Sequence, residues 1–229
     1  MRPLVAIVGV AIFIAVAVMA SAGRGAPPPK LAASPEPVPS DWPQGQPTEP
    51  PLSGHVRLLS GFVLPLEGLE IPEAEQYLPN SPREYRAGYH EGIDFPAARG
   101  TLVLAAKAGV VVRIDREYVE WSAEDRQAAF DEAQAQGHTP EAILDRIRGR
   151  QVWIDHGQGI VTRYAHLSSV APLVVGTTVA AREVIGAVGS SGYPEGGPHL
   201  HFEIRVGDGF YGDGLAGPQL RYTLSAAFR

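Results

Sequence analysis

Residues 198–206, Pro-His-Leu-His-Phe-Glu-Ile-Arg-Val, constrain the fold of this chain more than any other stretch. Polar and apolar side chains alternate with a period of two, the pattern of a strand with one face in a core and the other turned to something polar. Leu200, Phe202, Ile204 and Val206 share the core side, while His199, His201, Glu203 and Arg205 share the opposite one. The two imidazoles then stand roughly 7 Å apart on a rigid strand. That spacing is too wide for a direct hydrogen bond but suits one metal ligand beside one acid–base group. Glu203 and Arg205, further along the same face, could contact the metal ligands from behind, but a solvated strand surface is the reading preferred for both.

A second polar cluster lies upstream, Tyr89-His90-Glu91-Gly92-Ile93-Asp94-Phe95. His90 and Asp94 have helical spacing, yet Gly92 between them and Pro96 just after disfavour a helix. A bend at Gly92 that feeds Asp94 into a strand lets the two side chains converge. His90, Asp94 and one histidine of the His-Leu-His pair then give three N/O ligands with a fourth position open. That is the pattern of a catalytic zinc site; a structural one would be closed by four ligands, usually including thiolates. The chain has no cysteine, which excludes thiolate sites, disulfides and cysteine nucleophiles. His156 reads as the first residue of a hairpin turn, His138 as part of a turn between helices and His55 as the edge of a linker, so none of them is expected to bind metal. Tyr89 and Tyr164 flank the site, with packing and substrate contact equally open for each.

Three motifs follow one another along the chain: His90-x-x-x-Asp94, then Arg163-Tyr164-Ala165-His166-Leu167-Ser168, then Gly197-Pro198-His199-Leu200-His201-Phe202-Glu203. A glycine-punctuated run, 180–192, separates the last two. Together they resemble the lysostaphin-type (LytM-like) zinc metallopeptidases that cut peptides in bacterial peptidoglycan. The resemblance covers residues 85–206 apart from a segment near 115–149. It implies zinc bound by His90, Asp94 and His201, with His166 and His199 as two catalytic histidines that are not ligands. Which of these two is the base is left open. All five positions are filled, unlike in the degenerate relatives that have lost ligands and activate separate amidases. Three-ligand zinc activates water near neutral pH and polarises a carbonyl, and a neighbouring histidine must still move protons. The resemblance therefore implies a zinc metalloendopeptidase whose partner is the peptide portion of peptidoglycan. A non-catalytic scaffold and a zinc carboxypeptidase or amidase are the rival readings.

The remainder of the chain frames this domain. Arg2 precedes an apolar run from Leu4 to Ala20 and a small-x-small pattern at Ala20-Ser21-Ala22, so residues 1–22 are expected to direct export, either as a cleaved signal peptide or as a membrane anchor. Residues 23–53 form a proline-rich linker of extended character. The catalytic domain is then expected over residues 54–229. A formal net charge of −6 gives no electrostatic footprint for nucleic acid.

Within the domain, the strands 102–105, 109–114, 151–155, 160–166, 184–188 and 200–206, with no parallel βαβ rhythm, predict a mainly β fold of antiparallel sheet or two packed sheets. His166 is expected to share a strand face with Tyr164 and Thr162. Residues 189–197 read as a mobile loop that could wall a groove. Residues 116–149 read as an inserted helical hairpin, with Ser122 as N-cap, a stop at Gly137 and a restart at Thr139-Pro140-Glu141. Residues 64–86, proline-punctuated and just ahead of His90, are a candidate for a capping segment that would make the enzyme latent.

Overall fold

The computed structural model describes residues 58–229. The apolar N-terminal run, the proline-rich spacer and His55 lie outside the described residues. Two-residue strands β1 (Pro82–Arg83) and β2 (Gly88–Tyr89) precede β3 (Ile93–Pro96), β4 (Leu102–Leu104) and β5 (Gly109–Ile114). Helices α1 (Ala123–Gln136) and α2 (Glu141–Arg148) follow, and then β6 (Val152–Asp155), β7 (Ile160–Ala165), β8 (Leu167–Val170), β9 (Thr178–Val179) and β10 (Val184–Val188). The chain closes with β11 (His199–Val206), β12 (Gly209–Phe210) and α3 (Gly217–Ala227). The fold is mainly β. The largest sheet runs β12-β11-β7-β6-β5-β9, with β3 also pairing β11; β4-β10-β8 form a second sheet and β1-β2 a third. Every pairing between these strands is antiparallel.

The alternation of β11 sets the layering. Leu200, Phe202 and Ile204 are buried, and Phe202 packs against Phe95 and Tyr164. Each such side chain removed from water stabilises the fold by roughly 1.5–3 kcal/mol. Leu66 and Leu78 from the segment ahead of His90, and Leu220 and Leu224 from α3, join the same core. The candidate capping segment, 64–86, is anchored in the core by Leu66 and Leu78, and Asn80 donates to the Gly212 and Leu215 carbonyls.

The helical pair builds a satellite core. Ser122 caps α1 by accepting from the Asp125 N–H, and Gly137 ends it with a left-handed backbone. Trp121, Phe130, Ala133, Ile143 and Ile147 bury one another, joined by Tyr85 and Tyr193, whose rings stack. Residues 189–197 are held down, not mobile. The Trp121 indole donates to the Gly192 carbonyl, Glu120 accepts from the Gly192 N–H, and the Ser191 hydroxyl donates to Leu167 O while accepting from Arg150 N.

Candidate metal centre and its histidines

Sheet register brings two of the five singled-out residues together, because Asp94 of β3 pairs directly with His201 of β11. His90 arrives from the bend before β3. That bend must pass close over β11: a Cβ on Gly92 would clash with the Phe202 carbonyl oxygen, so only glycine fits. The three donor atoms form a triangle. His90 Nε2 is 2.9 Å from Asp94 Oδ1 and 3.0 Å from His201 Nδ1, and His201 Nδ1 is 2.8 Å from Asp94 Oδ1. Donors bound to one cation at roughly 2.0–2.1 Å lie about 3 Å apart, so the triangle has the dimensions of a metal site.

Outer hydrogen bonds fix what these atoms present. His90 Nδ1 is 2.9 Å from the Leu78 carbonyl, and His201 Nε2 is 3.2 Å from Glu203 Oε1. Both partners can only accept, so each of those ring nitrogens carries the hydrogen and donates. The inward nitrogens of neutral His90 and His201 are therefore lone pairs facing a carboxylate oxygen. Three lone pairs at this separation repel unless a cation or a proton sits among them, and the donor set accordingly fits a divalent metal. The other oxygen of Asp94 accepts from Arg83 at 3.0 Å.

Without a metal, the proton takes that place. Burial opposes charge on His201, but hydrogen bonds and attraction from Asp94 and Glu203 raise its pKa to about 9. Burial lowers His90 to about 4 despite the pull of Asp94. For Asp94, burial alone would raise the pKa; electrostatic attraction to the His90 ring and the hydrogen bond from His201 outweigh it and hold the carboxyl well below its usual range.

His166 and His199 stand beside the triangle with the same construction. His166 Nδ1 donates to Ser191 O and His199 Nδ1 donates to Gly197 O, both at 2.9 Å, leaving Nε2 as the lone-pair nitrogen of each neutral ring. Their ring centroids are 4.6 Å apart, and His199 Nε2 lies 3.7 Å from Asp94 Oδ1. Burial, then the neighbouring His199 and His201, push His166 well below the usual imidazole range. His166 does not share the face of Tyr164 and Thr162. Register sets Tyr164 opposite Phe202, on the core side, so simple alternation would bury His166 there. A left-handed backbone at His166, φ 59°, swings the ring across to His199 and His201. Positive φ at a buried non-glycine residue stores strain of about 1–3 kcal/mol, as functional sites often do.

Glu203 is fully buried, not part of a solvated strand face. It receives hydrogen bonds from His201, Arg148, Arg163 and Arg205, and these charges outweigh its burial to keep it ionised. Sequence reading did not single out Arg148 or Arg83, and the one available pointer to Glu203 was its place two residues after His201 on the same face. The Tyr164 hydroxyl accepts from Ala106 N in the core, so Tyr164 is a packing residue, whereas Tyr89 is exposed. His156 binds Ala108 O and Thr162, away from the triangle, and His138 is exposed.

Several known proteins resemble parts of this chain. Residues 132–212 match the model of peptidase family M23; the match includes His166, His199 and His201 and begins downstream of His90 and Asp94. The DD-carboxypeptidase/endopeptidase Mpg of Neisseria meningitidis is 33% identical over 117 residues, 51% of this chain and 20% of that protein. A metalloprotease of Haemophilus influenzae is 31% identical over 117 residues, 51% of this chain and 18% of its own length. The chain thus spans about a fifth of the curated relatives it matches. Among solved structures, the catalytic domain of the antimicrobial peptidase lysostaphin from Staphylococcus simulans is 26% identical, with 59% of this chain and 80% of that chain covered and a TM-score of 0.38. Residues 132–212 are thus similar to peptidase family M23, in line with the lysostaphin-type motifs.

Proposed function

We propose that this protein is a zinc metalloendopeptidase that hydrolyses peptide bonds in bacterial cell-wall peptidoglycan. The observation that carries the reading is the shared construction of four histidines, each with its outer nitrogen held by an acceptor-only oxygen and its other nitrogen left as a lone pair. His90 Nε2, Asp94 Oδ1 and His201 Nδ1 would hold the ion. Zinc there supplies Lewis acidity towards a scissile carbonyl and an acidified water. His166 and His199 handle protons at Nε2. Neutral His166 is in the form needed to accept one, and a ring that has accepted a proton can pass it to the leaving amine or donate to the oxyanion. The two ring centroids are 4.6 Å apart, close enough for both histidines to serve one reacting group.

An acidic protein does not bind anionic wall polymers by charge alone, so recognition is local to the cleft. Residues 1–22 export or tether the protein, and residues 23–53 space the domain over 54–229 from the membrane. The test is zinc content and digestion of purified sacculi on one preparation, with the products analysed. Opened peptide crosslinks are the expected result; zinc-loaded protein that leaves sacculi intact would move the reading to a non-catalytic scaffold. Mpg's name also joins carboxypeptidase to endopeptidase, and release of a single terminal residue would favour that second activity.

A further inference from the structure

We propose that Arg148, the last residue of the inserted helical hairpin, is a positioning residue for the metal site, a role that rests on the reading of the His90–Asp94–His201 triangle as a zinc centre. Arg148 donates through Nε to Glu203 Oε1 at 2.6 Å, and that same oxygen accepts from His201 Nε2 at 3.2 Å. Two consecutive hydrogen bonds thus run from the end of α2 to a ligand ring, whose orientation and tautomer depend on the second of them. Both charged side chains are almost wholly buried, at 3% for Arg148 and 0% for Glu203. Removing Arg148 takes away the shortest ion pair of Glu203, and removing Glu203 leaves the buried guanidinium with only the exposed Glu141 as counter-charge. The Arg148 Nη1 group binds Glu141, which is 64% exposed, so the guanidinium is pinned between the helix surface and the site.

The same turn also holds the other half of the site. The Arg148 carbonyl accepts from the His166 N–H at 2.8 Å, at the residue whose left-handed backbone aims its ring. Gly149 and Gly192 pack back to back, each so close that a Cβ would overlap the other's neighbours. That contact fixes the loop whose Ser191 carbonyl anchors His166 Nδ1. The hairpin is therefore wired into the centre; mere packing of Phe130 and Ile147 in the satellite core would not require these links.

The test compares R148M, R148K, E203Q and the double variant R148M/E203Q in the full chain. Zinc affinity is measured by competition with a chromophoric chelator, and the visible spectrum of the cobalt-substituted protein reports ligand geometry. Loss of a hydrogen-bond partner behind a ligand typically weakens metal binding about 10–100-fold, and E203Q should fall in that range. R148M should weaken zinc about tenfold and perturb the cobalt spectrum. The double variant should match E203Q alone, because Arg148 acts through Glu203. If R148M does not fold, R148K, which keeps the charge but loses the planar fork, carries the same expectation at smaller size. Zinc affinity unchanged within twofold in a folded Arg148 variant, or losses that multiply in the double variant, would overturn the proposal. Failure of the wild-type chain to bind zinc in a His201-dependent way would instead remove the metal reading itself.

Discussion

The triangle and the histidine pair use one device, an imidazole whose outer N–H is held by an oxygen; His90 shares a carbonyl backing with the pair, and the difference lies at His201. His201 is backed by the Glu203 carboxylate, with Asp94 beside it. His166 and His199 are backed only by the carbonyls of Ser191 and Gly197. A carboxylate adds negative charge and favours a cation at the opposite nitrogen, whereas a carbonyl orients the ring without charging it. The triangle is consequently the anionic half of the site, suited to holding a metal, and the pair is the neutral half, suited to moving protons. His201 is raised to about 9 while His166 is pushed well below the ordinary range, although both are buried.

The largest effect expected from breaking this division comes from the anionic half. His201→Ala removes one corner of the triangle, and zinc per chain should fall to background together with all sacculus digestion. Asp94→Asn keeps the shape but removes the charge, and should lose zinc nearly as completely. Zinc retained at one ion per chain in both variants, read by atomic emission on dialysed protein, would contradict the ligand assignment.

The neutral half should fail differently. His199→Ala and His166→Ala should keep zinc at wild-type occupancy and lose activity by about 10²–10⁴-fold, the usual contribution of positioned acid–base groups. Loss of zinc in either variant on the same emission assay would merge the two halves into one.

Much of this arrangement was legible in the sequence, and the parts that were not share a physical cause. Alternation over 199–206 gives the strand and its histidine face because a period of two needs no information from elsewhere in the chain. Gly92 between His90 and Asp94 signals the bend, since glycine is the residue that permits a close backbone approach. The facing of His166 was hidden, because one left-handed residue reverses the side that alternation predicts. The burial of Glu203 was hidden for another reason: besides its neighbour Arg205, two arginines reach it from α2 and β7, and nothing local announces partners so distant in sequence. Helix α3 was missed because Tyr222 and Thr223 are weak helix formers and the preceding segment is rich in glycine; burial of Leu220 and Leu224 in the core overrides that preference.

Gly92→Ala sharpens the comparison by moving one corner without touching a ligand. The added methyl meets the Phe202 carbonyl oxygen, which belongs to the β11 backbone and cannot swing aside. The chain over 90–94 must shift, at a cost of about 1–3 kcal/mol of stability. Because His90 rides on that bend while His166 and His199 do not, zinc affinity should fall with stability, and the cobalt spectrum should change. A variant destabilised in denaturant titration yet unchanged in zinc affinity would show that the bend serves the fold alone.

Acid dependence gives the most graded test of the contrast. In the metal-free chain His201, raised to about 9, contributes stability that is fully present below its unfolded value near 6.5 and is lost as pH rises through 9. His90, lowered to about 4, contributes stability that is present above 6.5 and lost as pH falls towards 4. The thermal midpoint in chelator should therefore pass through a maximum near pH 6.5. Zinc reverses the alkaline limb, because it must displace the His201 proton and then keeps the ring neutral. Between pH 6 and 9 its affinity should rise about tenfold per pH unit, with one proton released per ion. Calorimetry in two buffers of different ionisation enthalpy counts that proton directly. A count of zero at pH 7 would mean that the free triangle is already deprotonated, and that Asp94 and Glu203 do not give it the anionic character that separates it from the His166–His199 pair.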